Sequence, residues 1–301
     1  MSTSHLPAVA GLLLALAGAG YAHGGGAAAR QDACAVARNS AEGAAMRLPF
    51  ETVNGRIYVD AHVNGQGPFT FAIDTGASGL GRADASLVAE LGLAVTGTDQ
   101  SSDGVNTQTV NTVHLSRLAL GGLVREDFDV ITRDYSANLA DDAKIAGIIA
   151  RDFFVDGLLV IDFPARTLWF TRADELTAEQ HGALAYERPF RIPVSIADRV
   201  TTGNLDTGAS VTMVLPRSLY DEVAEGPLVP AGSGRLTNTT IETLSGVLPG
   251  PVRIGDASFS NVTVRVSGRY PELLIGGQVL QDYVVAIDQR MQLVALCRPQ
   301  G

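Results

Sequence analysis

Hydrophobic and polar positions alternate along much of this chain. Arg56-Ile57-Tyr58-Val59-Asp60-Ala61-His62-Val63 does so, as does Phe69-Thr70-Phe71-Ala72-Ile73, and Asn261-Val262-Thr263-Val264-Arg265-Val266 keeps the same period of two. Successive side chains of a strand point to opposite faces, so this pattern predicts half-buried strands. Helical periodicity is confined to short stretches. One runs from Ala83 to Leu91 and stops at Gly92, one runs from Pro216 to Glu225 and stops at Gly226, and a third is expected at Leu176 to Leu184. Pro at the start and Gly at the end are the usual punctuation of a helix.

The pattern also repeats. Asp74-Thr75-Gly76-Ala77-Ser78 recurs as Asp206-Thr207-Gly208-Ala209-Ser210, each copy after an apolar strand and before a helical run. Further on, Ile148-Ile149-Ala150-Arg151-Asp152-Phe153-Phe154 matches Leu274-Ile275-Gly276-Gly277-Gln278-Val279-Leu280. The register then holds, so that Leu158 to Asp162 aligns with Val284 to Asp288. Two lobes of one duplicated unit are the economical explanation, and 301 residues suffice for two cores. The boundaries expected are 47–172 for the first lobe, 173–188 for a polar connection and 189–301 for the second lobe.

Composition narrows the class. The chain has 33 glycines and only 18% charged residues, as suits a sheet-rich protein with many tight turns. Its net charge of -10, with no Lys/Arg run, argues against nucleic acid as a partner. The stretch from Leu6 to Gly20 is apolar, too short to span a bilayer, and followed by small residues, so residues 1–22 are expected to be a signal peptide. No Lys or Arg precedes that run, which leaves an uncleaved anchor or a different start as alternatives. Residues 23–46 are expected to be a tether, with Gly24 to Ala29 as its flexible part. The localisation implied is extracytoplasmic, periplasmic or secreted, with no stable membrane insertion once the signal is removed.

The two cysteines, Cys34 and Cys297, match no zinc or redox spacing. In an oxidising compartment they could pair and join the chain's ends; the alternative is two independent thiols. His5, His23, His62, His114 and His181 are scattered without metal spacing, and no Gly-x-Ser-x-Gly elbow occurs. Neither metal nor other cofactor is expected.

A single Asp-Thr-Gly is only a turn, but two copies in matched surroundings carry a resemblance. From about Leu48 to Cys297 the chain resembles the aspartic protease superfamily of pepsins and retropepsins. The Asp-Thr-Gly-Ala form and the Gly-Ile-Ile-Ala-Arg-Asp-Phe-Phe segment look most like bacterial retropepsin-like proteases, whereas duplication within one chain looks like a pepsin. The resemblance implies an all-β, bilobal pepsin-like fold with the site in the cleft between the lobes. It implies that Asp74 and Asp206 are the catalytic pair, that Thr75 and Thr207 bond across the interface, and that Gly76 and Gly208 allow the tight turns. Ala77, Ser78, Ala209 and Ser210 complete the two loops.

Two neighbouring carboxylates share one proton, so one can act as general base on a water while the other polarises a carbonyl. The expected function is therefore an aspartic endopeptidase acting on protein or peptide substrates, working as a monomer because each lobe supplies one Asp. A catalytically inactive peptide-binding or inhibitory protein on the same fold is the alternative. A glycosidase using the two carboxyls is disfavoured by the low aromatic content of 6%.

Two departures from the family pattern bear on the site. Ala150 stands where a Gly is usual, whereas Gly276 is kept. The flap, expected between Thr96 and Leu118, carries no aromatic residue; Gly104 and the polar run to Thr112 are left to form it. Asp162 and Asp288 are expected to be turn residues, and Trp169 to pack in the first lobe's core or on the connection. Asn238-Thr239-Thr240 and Asn261-Val262-Thr263 match glycosylation sequons.

Overall fold

The computed structural model describes residue 1, residues 32–137 and residues 139–298. Apart from residue 1, the expected signal peptide lies outside the described residues, as does the Gly24 to Ala29 tether. Among the described residues, no helix is long and apolar enough to cross a membrane.

The alternating segments are strands. Arg56–Val63 pairs antiparallel with Gln66–Asp74, and Val262–Ser267 with Thr240–Leu248. Three sheets result. The first follows the order 95–102, 107–120, 123–133, 81–84, 147–150, 66–74, 56–63 and 51–53, and a pairing of 56–63 with 107–120 folds it towards closure. The second follows 229–235, 240–248, 262–267, 213–216, 273–276, 199–206, 191–196, 252–254 and 257–259. From the outer hairpin inward, corresponding strands occupy corresponding places. In each sheet the strand ending in the Asp lies parallel to the later apolar one, with Asp74 opposite Ala150 and Asp206 opposite Gly276.

The third sheet joins the two halves. Its order is 46–49, 167–171, 158–162, 284–288, 293–297 and 184–185. At its centre Leu158–Asp162 runs antiparallel to Val284–Asp288 with Val160 opposite Ala286, so the two copies of the repeat become neighbours. Their runs are apolar at nearly every position because both faces are buried. Leu159, Ile161, Val285 and Ile287 enter the main core, while Leu158, Val160, Val284 and Ala286 face a second cluster underneath.

That second cluster is covered by a helix, Ala33–Asn39, within the segment expected to be a tether. Asp32 caps it by accepting the Cys34 amide at 2.7 Å, and Ala33, Cys34 and Ala37 are buried against the sheet. Cys34 is bonded to Cys297 of the last strand, with their α-carbons 5.4 Å apart. Trp169 also belongs here: it packs beneath the joining sheet, and its indole donates to Ser40 Oγ at 2.9 Å.

Two of the expected helices form, as Ala85–Leu91 and Arg217–Val223. The first begins two residues later than its periodicity implied, because Asp84 serves as its cap and accepts the Ser86 amide at 2.9 Å. The third, at Leu176 to Leu184, does not form. Leu176 is buried, its amide donating to Asp288 Oδ2 at 3.2 Å, Gly182 takes φ +80°, and Leu184–Ala185 joins the edge of the third sheet. A residue at φ +80° cannot continue a right-handed helix, and the sheet takes the backbone of Leu184 and Ala185. Asp162 and Asp288 hold turns, accepting the amides of Ala165 and Arg290.

Candidate active site

Each Asp ends a strand whose neighbour on one side is the buried apolar segment of the repeat. The turn that follows brings amides round to the carboxylate. Asp74 Oδ1 accepts from Gly76 at 2.9 Å and from Ala77 at 3.0 Å, and Asp206 Oδ1 accepts from Gly208 at 2.9 Å.

The two turns are locked to each other. Thr75 and Thr207 are both buried. The Thr75 amide donates to Thr207 Oγ1 at 3.2 Å and the Thr207 amide to Thr75 Oγ1 at 3.0 Å. Each hydroxyl passes its own proton across the interface, from Thr75 to the Leu205 carbonyl at 3.3 Å and from Thr207 to that of Ile73 at 3.0 Å. Both amides and both hydroxyls of this buried pair have a partner in the other half, so the two strand ends are fixed together.

The lock sets the carboxyls face to face. A β-carbon added at Gly76 would lie 2.6 Å from Asp206 Cγ, and one at Gly208 would lie 2.3 Å from Asp74 Cγ. Only glycine leaves room at either place. The carboxyls lie within hydrogen-bonding reach of each other, and burial, reinforced by the Asp74 charge, holds the Asp206 carboxyl well above the ordinary carboxylate range. A pair that retains one proton presents an acid and a base to whatever lies between them.

Further contacts hold the two loops in place. The Ser78 hydroxyl accepts from Arg82 at 3.4 Å, Ala77 O accepts the Arg151 amide at 3.1 Å, and Ala209 O accepts the Gly277 amide at 2.9 Å. Ser210 O accepts from Gln278 at 3.1 Å. The Ala150 and Gly276 difference has a local cause. Both have negative φ, -92° and -88°, so neither requires glycine for its conformation. A β-carbon at Gly276, however, would meet the Val211 carbonyl at 2.2 Å, whereas Ala150 is accommodated in full burial.

Two hairpins rather than one meet where the halves face each other. The first is the expected flap, strands 95–102 and 107–120 with Gly104 at its tip, φ +83°. The second, strands 229–235 and 240–248, is its counterpart in the other half, and nothing in the expected sites anticipated it. The tips are tied together. Asn238 donates its side-chain amide to the carbonyls of Ser101 and Asn106, at 2.7 and 2.9 Å, and its backbone amide to Asp103 Oδ2 at 2.8 Å. Asn106 returns a bond to Thr239 Oγ1 at 2.8 Å. The aromatic group that the first flap lacks comes from across the cleft, where the Tyr270 ring borders Gly104. A tyrosine follows the matching strand in each half, Tyr270 after 262–267 and Tyr135 after 123–133. Among the described residues no three His, Cys, Asp or Glu side chains converge as a metal set would.

The fold is mostly β, consistent with the all-β fold of the pepsin-like aspartic proteases. Residues 59–153 match the family model of the aspartyl proteases, a stretch that contains the first Asp-Thr-Gly and its partner strand. No curated protein matches the chain.

Proposed function

We propose that the protein is an aspartic endopeptidase that hydrolyses peptide bonds on an Asp74/Asp206 dyad. The observation that carries this reading is the reciprocal threonine lock, which brings two carboxyls from separate halves face to face and leaves only glycine beside each. The match to the aspartyl protease family supports peptidase activity in general. In the mechanism proposed, the ionised carboxylate takes a proton from a water held between the pair as that water attacks the scissile carbonyl. The protonated carboxyl donates to the carbonyl oxygen, and the tetrahedral intermediate collapses when the leaving nitrogen is protonated. No covalent intermediate forms. Because one chain supplies both carboxyls, the active species is a monomer. The bridge between Cys34 and Cys297 supports an extracytoplasmic site of action, since such bonds persist in oxidising compartments.

The test is to assay the wild type, Asp74→Asn and Asp206→Asn against a peptide library by mass spectrometry. Each substitution keeps the shape but removes the shared proton and the base, so each alone should abolish cleavage while the melting curve stays close to wild type. Near-normal turnover in either variant sinks the shared-dyad mechanism.

A further inference from the structure

Beneath the junction of the two hairpins, three polar atoms are buried with nothing to bond. They are Nε and Nη2 of Arg133 and the hydroxyl oxygen of Tyr135. The remaining guanidinium nitrogen of Arg133, Nη1, reaches Gln108 Oε1 at 3.5 Å and the Thr237 carbonyl at 3.4 Å. Those contacts set the side chain under the returning strand of one hairpin and against the turn of the other. Tyr135 is within electrostatic reach of Arg133, Arg82 and Asp74, so the group lies on the Asp74 side of the dyad. Burial pushes the Tyr135 hydroxyl up to about 12, which keeps its proton in place as a donor.

Buried donors in native proteins are nearly always paired, and three together point to an acceptor that arrives with a ligand. The geometry of the guanidinium narrows the choice. Nε and Nη2 form one edge of the planar fork, two parallel donors that match the two oxygens of a carboxylate. The nearby protein carboxylates are already engaged: Asp84 receives the amides of Ser86, Tyr135 and Ser136, and Asp74 those of Gly76 and Ala77. The feature is also one-sided. Arg133 lies opposite Asp84 in the first half, and the corresponding position opposite Pro216 in the second half is Ser267, whose hydroxyl accepts the amides of Arg269 and Tyr270.

We propose that Arg133 and Tyr135 form a subsite for an acidic side chain of the substrate, Asp or Glu, on the Asp74 side of the cleft. This rests on the peptidase reading above. The enzyme then selects peptides that carry a carboxylate at one position on one side of the scissile bond, with no equivalent preference on the other.

The test uses the full chain and pairs of fluorogenic peptides that differ only as Glu or Gln, scanned through the positions flanking the cleaved bond at a pH above about 5, where Glu is ionised. At one position kcat/KM should favour Glu by about tenfold or more, the scale of a charge-assisted bond. Arg133→Gln should bring that ratio to about one, and Arg133→Lys and Tyr135→Phe should leave it intermediate. Absence of any Glu preference in the wild type, which needs no variant to fold, overturns the proposal, as does a ratio that survives in Arg133→Gln. Binding of the same peptides to Asp206→Asn, followed by fluorescence anisotropy, separates the two readings. If nothing is cut but the Glu peptide binds more tightly in an Arg133-dependent way, the peptidase reading fails and the acidic subsite stands. Cleavage without discrimination has the opposite meaning, and peptides neither cut nor bound in a Glu-dependent way remove the subsite.

Discussion

Thr207 occupies the first half of the protein as much as the second: its Oγ1 accepts the Thr75 amide and donates to the Ile73 carbonyl. Thr207→Val keeps the shape and strands both partners in a buried interface, at about 1–3 kcal/mol for each. Denaturant melts should show that loss, and peptidase activity should fall with it, because the strand ends carrying Asp74 and Asp206 are no longer held in register. Thr207→Ser restores the hydroxyl and should recover most of both. A Val variant as stable and active as wild type removes the lock from the account.

The raised Asp206 carboxyl links stability to pH in a definite direction. Its folded-state proton affinity exceeds that of the unfolded chain, so its stabilising contribution is complete at low pH and is lost as pH rises above the ordinary carboxylate range. Comparing Tm at mildly acidic and mildly alkaline pH should show a larger drop for wild type than for Asp206→Asn, which has no proton to lose. Activity should follow the retained proton. Ala77 and Ala209 offer no hydroxyl to the carboxylates, and the Ser78 hydroxyl is turned to Arg82. One absent charge-assisted bond is worth about one to two pKa units, so an optimum at about pH 5–6.5 is expected. An optimum below about pH 3.5 would contradict this.

Asn238 ties the two hairpin tips with two side-chain bonds. Replacing it by Ala removes about 1–3 kcal/mol of closure at the usual value per bond. Hydrogen exchange at residues 101–106 and 236–240 should accelerate about tenfold or more, with the joining sheet unchanged. Unaltered exchange at the tips would mean that the hairpins are held shut by other contacts. Attachment of a glycan at Asn238 should act in the same direction, because it replaces one of the two side-chain N–H groups that make these bonds.

Cys34 and Cys297 are 263 residues apart, and closing a loop of that length limits the unfolded chain by up to about 5 kcal/mol in the chain-entropy model. Reduction, or paired Cys→Ser substitution, should lower the Tm while leaving the cleft intact, since the bridge lies beneath the joining sheet with Trp169. Loss of activity in the folded, reduced protein would show that the base of the molecule and the cleft are coupled.

The alternation of Arg56 to Val63 and of Asn261 to Val266 was enough to predict strands, and the two Asp-Thr-Gly-Ala-Ser segments marked the pair of carboxylates. Both are local signals: a strand exposes its period in consecutive residues, and a repeated motif needs no partner to be seen. The repeat even aligned Leu158 to Asp162 with Val284 to Asp288. Only tertiary structure made those two segments antiparallel neighbours, because pairing across more than a hundred residues leaves no trace in the spacing of either. The same holds for what the sequence left unseen. The helix Ala33–Asn39 is short and is held by the joining sheet and Cys297 rather than by its own propensity, and Leu176 to Leu184 gave up its helical period to bonds with Asp288 and the sheet edge. The second hairpin, the tie at Asn238 and the donors of Arg133 and Tyr135 come from residues that are ordinary in their own neighbourhoods. What sets them apart is their position under and across the cleft, and that position exists only once the two halves have been brought together around Thr75 and Thr207.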